Sequence, residues 1–228
     1  MTAPVLGQVQ TYDGDAWVDW SWVGDHLGDI GHALRSHVLL TVLVVAIGVA
    51  IALPLSLIAH RRPVLRNALL AVSGVLYTIP SLAAFALLIP YTGLTSRATV
   101  LIPLVSYTLV ILVRNTLVGL DSVPAAAREA ATGMGYSPQQ RLLRVELPLA
   151  LPTIMAGIRL ATVSTVGLVT VSAIIGERSL GILIRDGLER DFRTLIVVGA
   201  VLALALAVVA DVLLAVLARR LTPWTRRR

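Results

Sequence analysis

The sequence predicts an all-α integral membrane protein with about five transmembrane helices. Three observations carry that prediction. Hydrophobic residues make up 57% of the 228 positions and charged residues only 14%, against roughly 25% charged in ordinary soluble domains. The mean hydropathy is +0.84. The apolar residues fall into runs of about twenty, long enough to cross a hydrocarbon core, and the charges gather at the ends of those runs.

Residues 1–35 read as an extracytoplasmic N-terminal segment. They lack a basic n-region and instead hold Asp13, Asp15, Asp19, Asp25 and Asp29, so they do not resemble a cleaved leader. Trp17, Trp20 and Trp22 favour the headgroup layer, so a short amphipathic helix is expected on the membrane surface over about 20–35. Its pattern is weak and broken by glycine, which leaves a leader without regular structure as the alternative. The transmembrane domain covers 36–220. Its five expected spans are Val38–Ala59, Ala68–Pro90, Thr99–Leu120, Leu151–Ile175 and Thr194–Leu217. A basic tail, 221–228, follows.

Five spans put the termini on opposite sides. One face then carries Arg61, Arg62, Arg66, Arg128, Arg141, Arg144, Arg219, Arg220, Arg226, Arg227 and Arg228, eleven arginines in all. The other carries six: Arg35, Arg97, Arg178, Arg185, Arg190 and Arg193. The positive-inside rule therefore places the N-terminus outside and the C-terminus in the cytoplasm. The same distribution argues against a nucleic-acid role for the net charge of +6. All nineteen basic residues are arginine, which reads as coding bias. Without cysteine there is no disulfide, thiolate ligand or cysteine nucleophile.

Residues 121–150 are a polar, turn-broken segment between spans, expected in the cytoplasm. Asp121 and Ser122 precede Pro124, an acceptor-then-proline order that starts a helix. Ala125 to Ala131 is strong helix-forming sequence, and Gly133 and Gly135 end it. Ser137, Pro138 and Gln140 restart a second helix with a capping box. Leu142, Leu143, Val145 and Leu147 give it an apolar face, and Pro148 and Pro152 are expected to mark its end and the start of the fourth span. A compact helix–turn–helix with a small-residue first helix suits close approach by another protein, with Glu129 offering charge to a basic partner. A capped connector is the plain alternative. A DNA-binding unit is disfavoured by the tether to the bilayer at both ends.

Glu129-Ala130-Ala131, Gly135 and Val145-Glu146-Leu147-Pro148 stand at a long and specific spacing. Together they resemble the EAA signature of permease subunits of ABC importers. Tyr77 to Leu82, Leu112 to Thr116 and Arg144 to Pro152 are similar to the permeases that take up glycine betaine, choline, carnitine and related osmoprotectants. The resemblance covers most of 36–220 and implies the type I importer fold. It implies ATPase coupling at Arg128, Glu129, Ala130, Ala131, Gly135, Leu147 and Pro148. It also implies two ATPase subunits, a second permease (identical or a paralogue), an extracytoplasmic solute-binding protein, and a bacterial cytoplasmic membrane location. One departure is Gly176-Glu177-Arg178-Ser179-Leu180-Gly181, where the family has a Gly-rich run. This chain has no Gly-x-x-x-x-Gly-Lys-Ser/Thr loop, so ATP and Mg are expected on the partner and no cofactor or metal here. It reads as a non-catalytic subunit.

Within the spans, Pro80 in Ile79-Pro80-Ser81 is expected to kink or open the second helix, as happens at membrane depth where helices line a cavity. Tyr77, Pro80, Ser81, Tyr107, Arg114 and Asn115 are the candidate translocation residues, with Phe85 as a further aromatic face for a quaternary ammonium. Packing is the plain alternative for these rings. Arg114 is expected to pair with Glu129 or Glu146, or to snorkel. Asp211, alone in an apolar helix, is expected to pair with Arg159. Gly157 with Ala161 and Gly199 with Ala203 allow close crossings. Alternatives are a permease for methionine or another amino acid and, in a different class, an ATP-independent secondary transporter. The latter would show paired broken helices, and only one break is evident.

Overall fold

The first spanning helix is longer than the apolar run that announces it. In the computed structural model, which describes residues 17–94 and 96–224, helix α1 (Trp20–Asp25) is capped by Asp19, whose carboxylate accepts from the Ser21 and Trp22 amides. A single residue, His26, separates it from α2 (Leu27–Ala59). The expected helix over 20–35 is thus divided: α1 is separate, and 27–35 is continuous with the helix of the first span. Gly28 and Gly31 each cost the helix about 1 kcal/mol of propensity, and the helix continues through them with Ile30, Ala33 and His37 forming a buried stripe at helical spacing. Asp13, Asp15, Arg226, Arg227 and Arg228 lie outside the described residues.

The second span is broken where Pro80 predicts. Helices α3 (Pro63–Thr78) and α4 (Ser81–Thr92) meet at 94° across Ile79 and Pro80. Helix α5 (Arg97–Asp121) then runs back through the middle of the bundle, against α2, α3, α4 and a later helix, α8. After α6 (Ala125–Gly133) and α7 (Pro138–Arg141) comes a five-residue π turn, Leu142–Glu146, which leads into α8 (Leu147–Val171). A 3-10 turn (Ser172–Ile175), α9 (Leu180–Glu189) and α10 (Arg193–Leu221) complete the chain. Among the described residues four helices are long and apolar enough to span alone, and the bent pair makes a fifth.

Pro148 and Pro152 were expected to separate the second short helix from the fourth span; instead 138–175 is one continuous helix. The π turn explains this at Pro148, while Pro152 is carried inside α8. Leu147 donates to the Leu142 carbonyl, five residues back, and that wider turn makes room where the Pro148 ring would strike the carbonyl four residues earlier.

Lipid offers no hydrophobic drive between spans, so close packing and hydrogen bonds hold the bundle. A Cβ on Gly48 would lie 2.8 Å from Thr108 Cγ2, and one on Gly157 would lie 2.5 Å from Asn115 Cβ. Those two glycines let α2 and α8 close on α5. His37, fully buried, ties three elements: Nδ1 accepts from the Leu180 amide (3.3 Å) and Nε2 donates to the Val166 carbonyl (3.1 Å).

Candidate functional site

The α6–α7 segment is built by backbone chemistry at each end. Asp121 and Ser122 do not cap α6, contrary to the sequence expectation. Asp121 ends α5 and takes a two-pronged bond from Arg66, and the Ser122 hydroxyl donates to Gly119. Helix α6 starts instead on the Pro124 carbonyl, which accepts from Ala127 and Arg128. Arg128 folds back, Nη2 donating to the Leu120 carbonyl at 2.6 Å. At the far end Gly135 adopts φ +80°, which lets the Tyr136 amide reach Ala131 at 3.1 Å and close the helix. Ser137 and Gln140 form the expected capping box. Ala125, Ala126, Glu129 and Ala130 are exposed, and Ala131 is buried. Leu147 and Pro148 lie in the continuous helix, and Leu147 packs with Leu120, Val123, Ala150 and Ile154.

Below this surface lies an ion cluster that the sequence reading missed. Glu146 is 1% exposed; Arg61 Nη2 lies 3.1 Å and Arg141 Nε 2.9 Å from its Oε1. Arg61 also donates to the Pro138 carbonyl at 3.0 Å, and Arg141 to Thr132 Oγ1 at 2.9 Å. His60 sits between Asp121 (3.5 Å) and Glu146 (3.7 Å). Burial holds its imidazole below the ordinary value of 6.5, against the opposing pull of Asp121 and Glu146. Arg114 takes no part: it lies on the exposed side of α5, and Arg61 and Arg141 occupy the Glu146 carboxylate in its place. The available signal was His60-Arg61 ending one span and Glu146 opening another, but only the fold brings them together.

At the α3–α4 break is a cavity of about 300 Å³, lined by Tyr77, Thr78, Ile79, Pro80, Ser81, Tyr107, Thr108, Ile111, Ser164, Thr165 and Leu168. No ionisable acid or base other than tyrosine lines it. The break leaves the Ile79 carbonyl without a helical partner, and the Tyr107 hydroxyl donates to it at 2.6 Å. The Tyr77 and Tyr107 rings meet edge to face, 5.9 Å between centroids. Four of the six candidate translocation residues are thus brought together. Arg114 and Asn115 are not among them; Asn115 packs on Gly157 and bonds Ile111. Phe85 is fully buried in the core instead. Arg159 and Asp211 pair as expected, through two hydrogen bonds of 2.9 and 2.8 Å, away from this cavity.

A second cavity, about 290 Å³, opens between α2 and α9 at the other end of the bundle, with Asp29, His32, Ser36, Arg178 and Asp186 on its walls. The departure at 176–181 supplies Arg178 to it. Gly176 turns there with φ +88°, and Ser179 caps α9.

The sequence model of one family, described as the inner membrane component of binding-protein-dependent transport systems, matches residues 45–223. The chain belongs to this family. It is 37% identical to the osmoprotectant import permease protein OsmW of Salmonella typhimurium, over 87% of this chain and 94% of that one. It is 34% identical to the choline transport system permease protein OpuBB of Bacillus subtilis, over 88% and 92%. With the carnitine transport permease protein OpuCB of Listeria monocytogenes it shares 36% identity, over 82% and 85%. The fold matches an inward-facing structure of the MetNI methionine ABC transporter with TM-score 0.75 at 21% identity, over 87% of this chain and 98% of that one. An amino acid ABC transporter crystallised with histidines matches with TM-score 0.74 at 18% identity, over 89% and 99%. The chain is therefore a multi-pass ABC-importer permease of the inner-membrane component family, a non-catalytic type of subunit.

Proposed function

We propose that this permease carries osmoprotectants of the quaternary-ammonium class, such as glycine betaine, choline, carnitine or proline betaine. Two permeases, alike or paralogous, form the path in a bacterial cytoplasmic membrane. Two ATPase subunits grip the α6–α7 segments and hydrolyse Mg-ATP. A solute-binding protein delivers cargo at the opposite end, which the arginine count puts outside together with the N-terminus. ATPase closure pushes the exposed Ala125–Ala130 surface and switches the bundle between outward and inward openings as a rigid-body change.

The observation that carries the cargo class is the kind of relative the chain has: permeases named for osmoprotectant, choline and carnitine transport, matched over most of their length. The cavity at the α3–α4 break agrees with it. Two tyrosine rings, hydroxyls and the helix break offer a cation π-faces and carbonyl dipoles without a fixed counter-charge. The test is uptake into proteoliposomes holding the permease, its ATPase and its binding protein. Labelled glycine betaine or choline should accumulate with ATP and resist competition by methionine. Accumulation of methionine and exclusion of both amines would overturn the cargo assignment.

A further inference from the structure

A push on α6–α7 has a covalent route to α8, because 138–175 is one helix. To α2, the first span, it has only non-covalent routes, one of them the apolar cluster against which Leu53 and Leu57 of α2 and Leu142 and Leu147 all pack. The Glu146 cluster supplies a second, directional one. Its buried carboxylate is held from two sides, by Arg141 within the segment and by Arg61 at the corner between α2 and α3. Arg61 reaches further into the segment through the Pro138 carbonyl, and Arg141 reaches α6 through Thr132. Glu146 is also the last residue of the π turn, the one place where the helix departs from regular winding before α8. A compliant turn lets α8 pivot. The ion cluster beside it does not stretch freely, since parting its members leaves the buried Glu146 carboxylate without its partners.

We propose that Glu146 is a positioning residue that ties α2 to the ATPase-docking segment through Arg61, so that one push moves the first span together with the fourth. The proposal rests on the reading of 121–150 as the docking segment. Glu129, exposed on α6, meets the partner; Glu146, hidden beneath it, passes the movement on.

The test uses the complete importer in proteoliposomes, with Glu146→Gln, which keeps size and removes charge, and Arg61→Gln, which leaves the Arg141–Glu146 contact inside the segment. Both variants should retain the ATPase on purification and hydrolyse ATP at a rate close to wild type. Labelled glycine betaine taken up per ATP should fall about tenfold, within the 5–150-fold range of coupling between sites. The double variant should fall no further than the lower single, because both changes remove one link. Unchanged uptake per ATP in both singles overturns the proposal, as does a double variant whose losses multiply. Loss of the ATPase by Glu146→Gln with Arg61→Gln at wild-type levels would assign Glu146 to folding of the segment and likewise overturn it. If the wild-type permease itself retains no ATPase, the docking reading fails and this proposal falls with it.

Discussion

The two ends of the bundle are held by opposite chemistry. At the α6–α7 end, elements meet through ion pairs and charged hydrogen bonds: Arg66 with Asp121, and Arg61 and Arg141 with Glu146. At the other end, α8, α9 and α10 meet through glycines against backbone. A Cβ on Gly181 would lie 1.9 Å from the Thr170 carbonyl oxygen, one on Gly187 2.9 Å from the Ile196 amide, and one on Gly199 3.1 Å from the Leu180 carbonyl. The exposed Arg66–Asp121 pair survives changes of geometry, since water replaces a lost partner, while the buried Glu146 moves together with the arginines that hold it. A dry seam of backbone contacts has no such substitute. The α6–α7 end is built as a joint and the α9 end as a fixed seam.

The largest effect should come from reversing the charge on the joint's outer surface. Glu129 is exposed and forms no ion pair among the described residues. Glu129→Arg should leave the thermal midpoint unchanged and lower uptake by about 100-fold or more, since like charges at an interface cost several kcal/mol. Copurification of the ATPase and solute uptake check it together. Retention of both would show that this surface is not where the ATPase docks.

Next in size is a methyl group in the seam. Gly181→Ala should destabilise by about 3 kcal/mol or more, at the upper end of overpacking costs, because the obstacle is a backbone carbonyl. Gly133→Ala, at the end of α6 with nothing within 4 Å, should be neutral or slightly stabilising by helix propensity. Thermal or denaturant unfolding in detergent measures both. Equal losses at the two positions would erase the distinction between joint and seam.

Local sequence signals and their outcomes divide along the same line. The capping box at Ser137 and the break at Pro80 rest on a few neighbouring residues and stand as expected. The Arg159–Asp211 pair was legible because two charges in otherwise apolar helices have few other partners. What local sequence could not show was competition. Asp121 reads as a cap for α6 until Arg66, 55 residues earlier, claims it. Glu146 was one of two carboxylates offered to Arg114, with snorkelling the alternative, because nothing in the sequence brings Arg61, 85 residues away, to it. Pro148 reads as a helix end because the π turn that accommodates it leaves no composition signal. His37 stands just ahead of the expected first span with no local signal, yet it bridges α2, α8 and α9.

The Arg159–Asp211 pair tests whether charge within the spans behaves as joint or seam. Both side chains are 37% exposed on the faces of α8 and α10. Asp211→Asn leaves a guanidinium with a weaker partner and should lower the unfolding midpoint by about 5 °C. Replacing both, Asp211→Leu with Arg159→Met, should return it close to wild type, because a well-packed apolar pair commonly equals a desolvated ion pair. A double variant less stable than the single would mean that the pair contributes more than the cost of its own desolvation.

The smallest expected effect is the most specific to the joint. Burial holds the His60 imidazole below 6.5 in the folded chain, more strongly than Asp121 and Glu146 raise it. The unfolded chain therefore takes up its proton at higher pH. As pH falls from 6.5 through the folded value, stability is lost; above 6.5 the group contributes no slope. His60→Asn should remove that acid-side loss, so its midpoint at pH 5.5 should exceed that of wild type by a shift below about 3 °C, with the two matching at pH 8. Midpoints measured across that range decide it. If wild type instead gains stability on acidification relative to His60→Asn, the carboxylates outweigh burial. The charged joint would then tighten in acid.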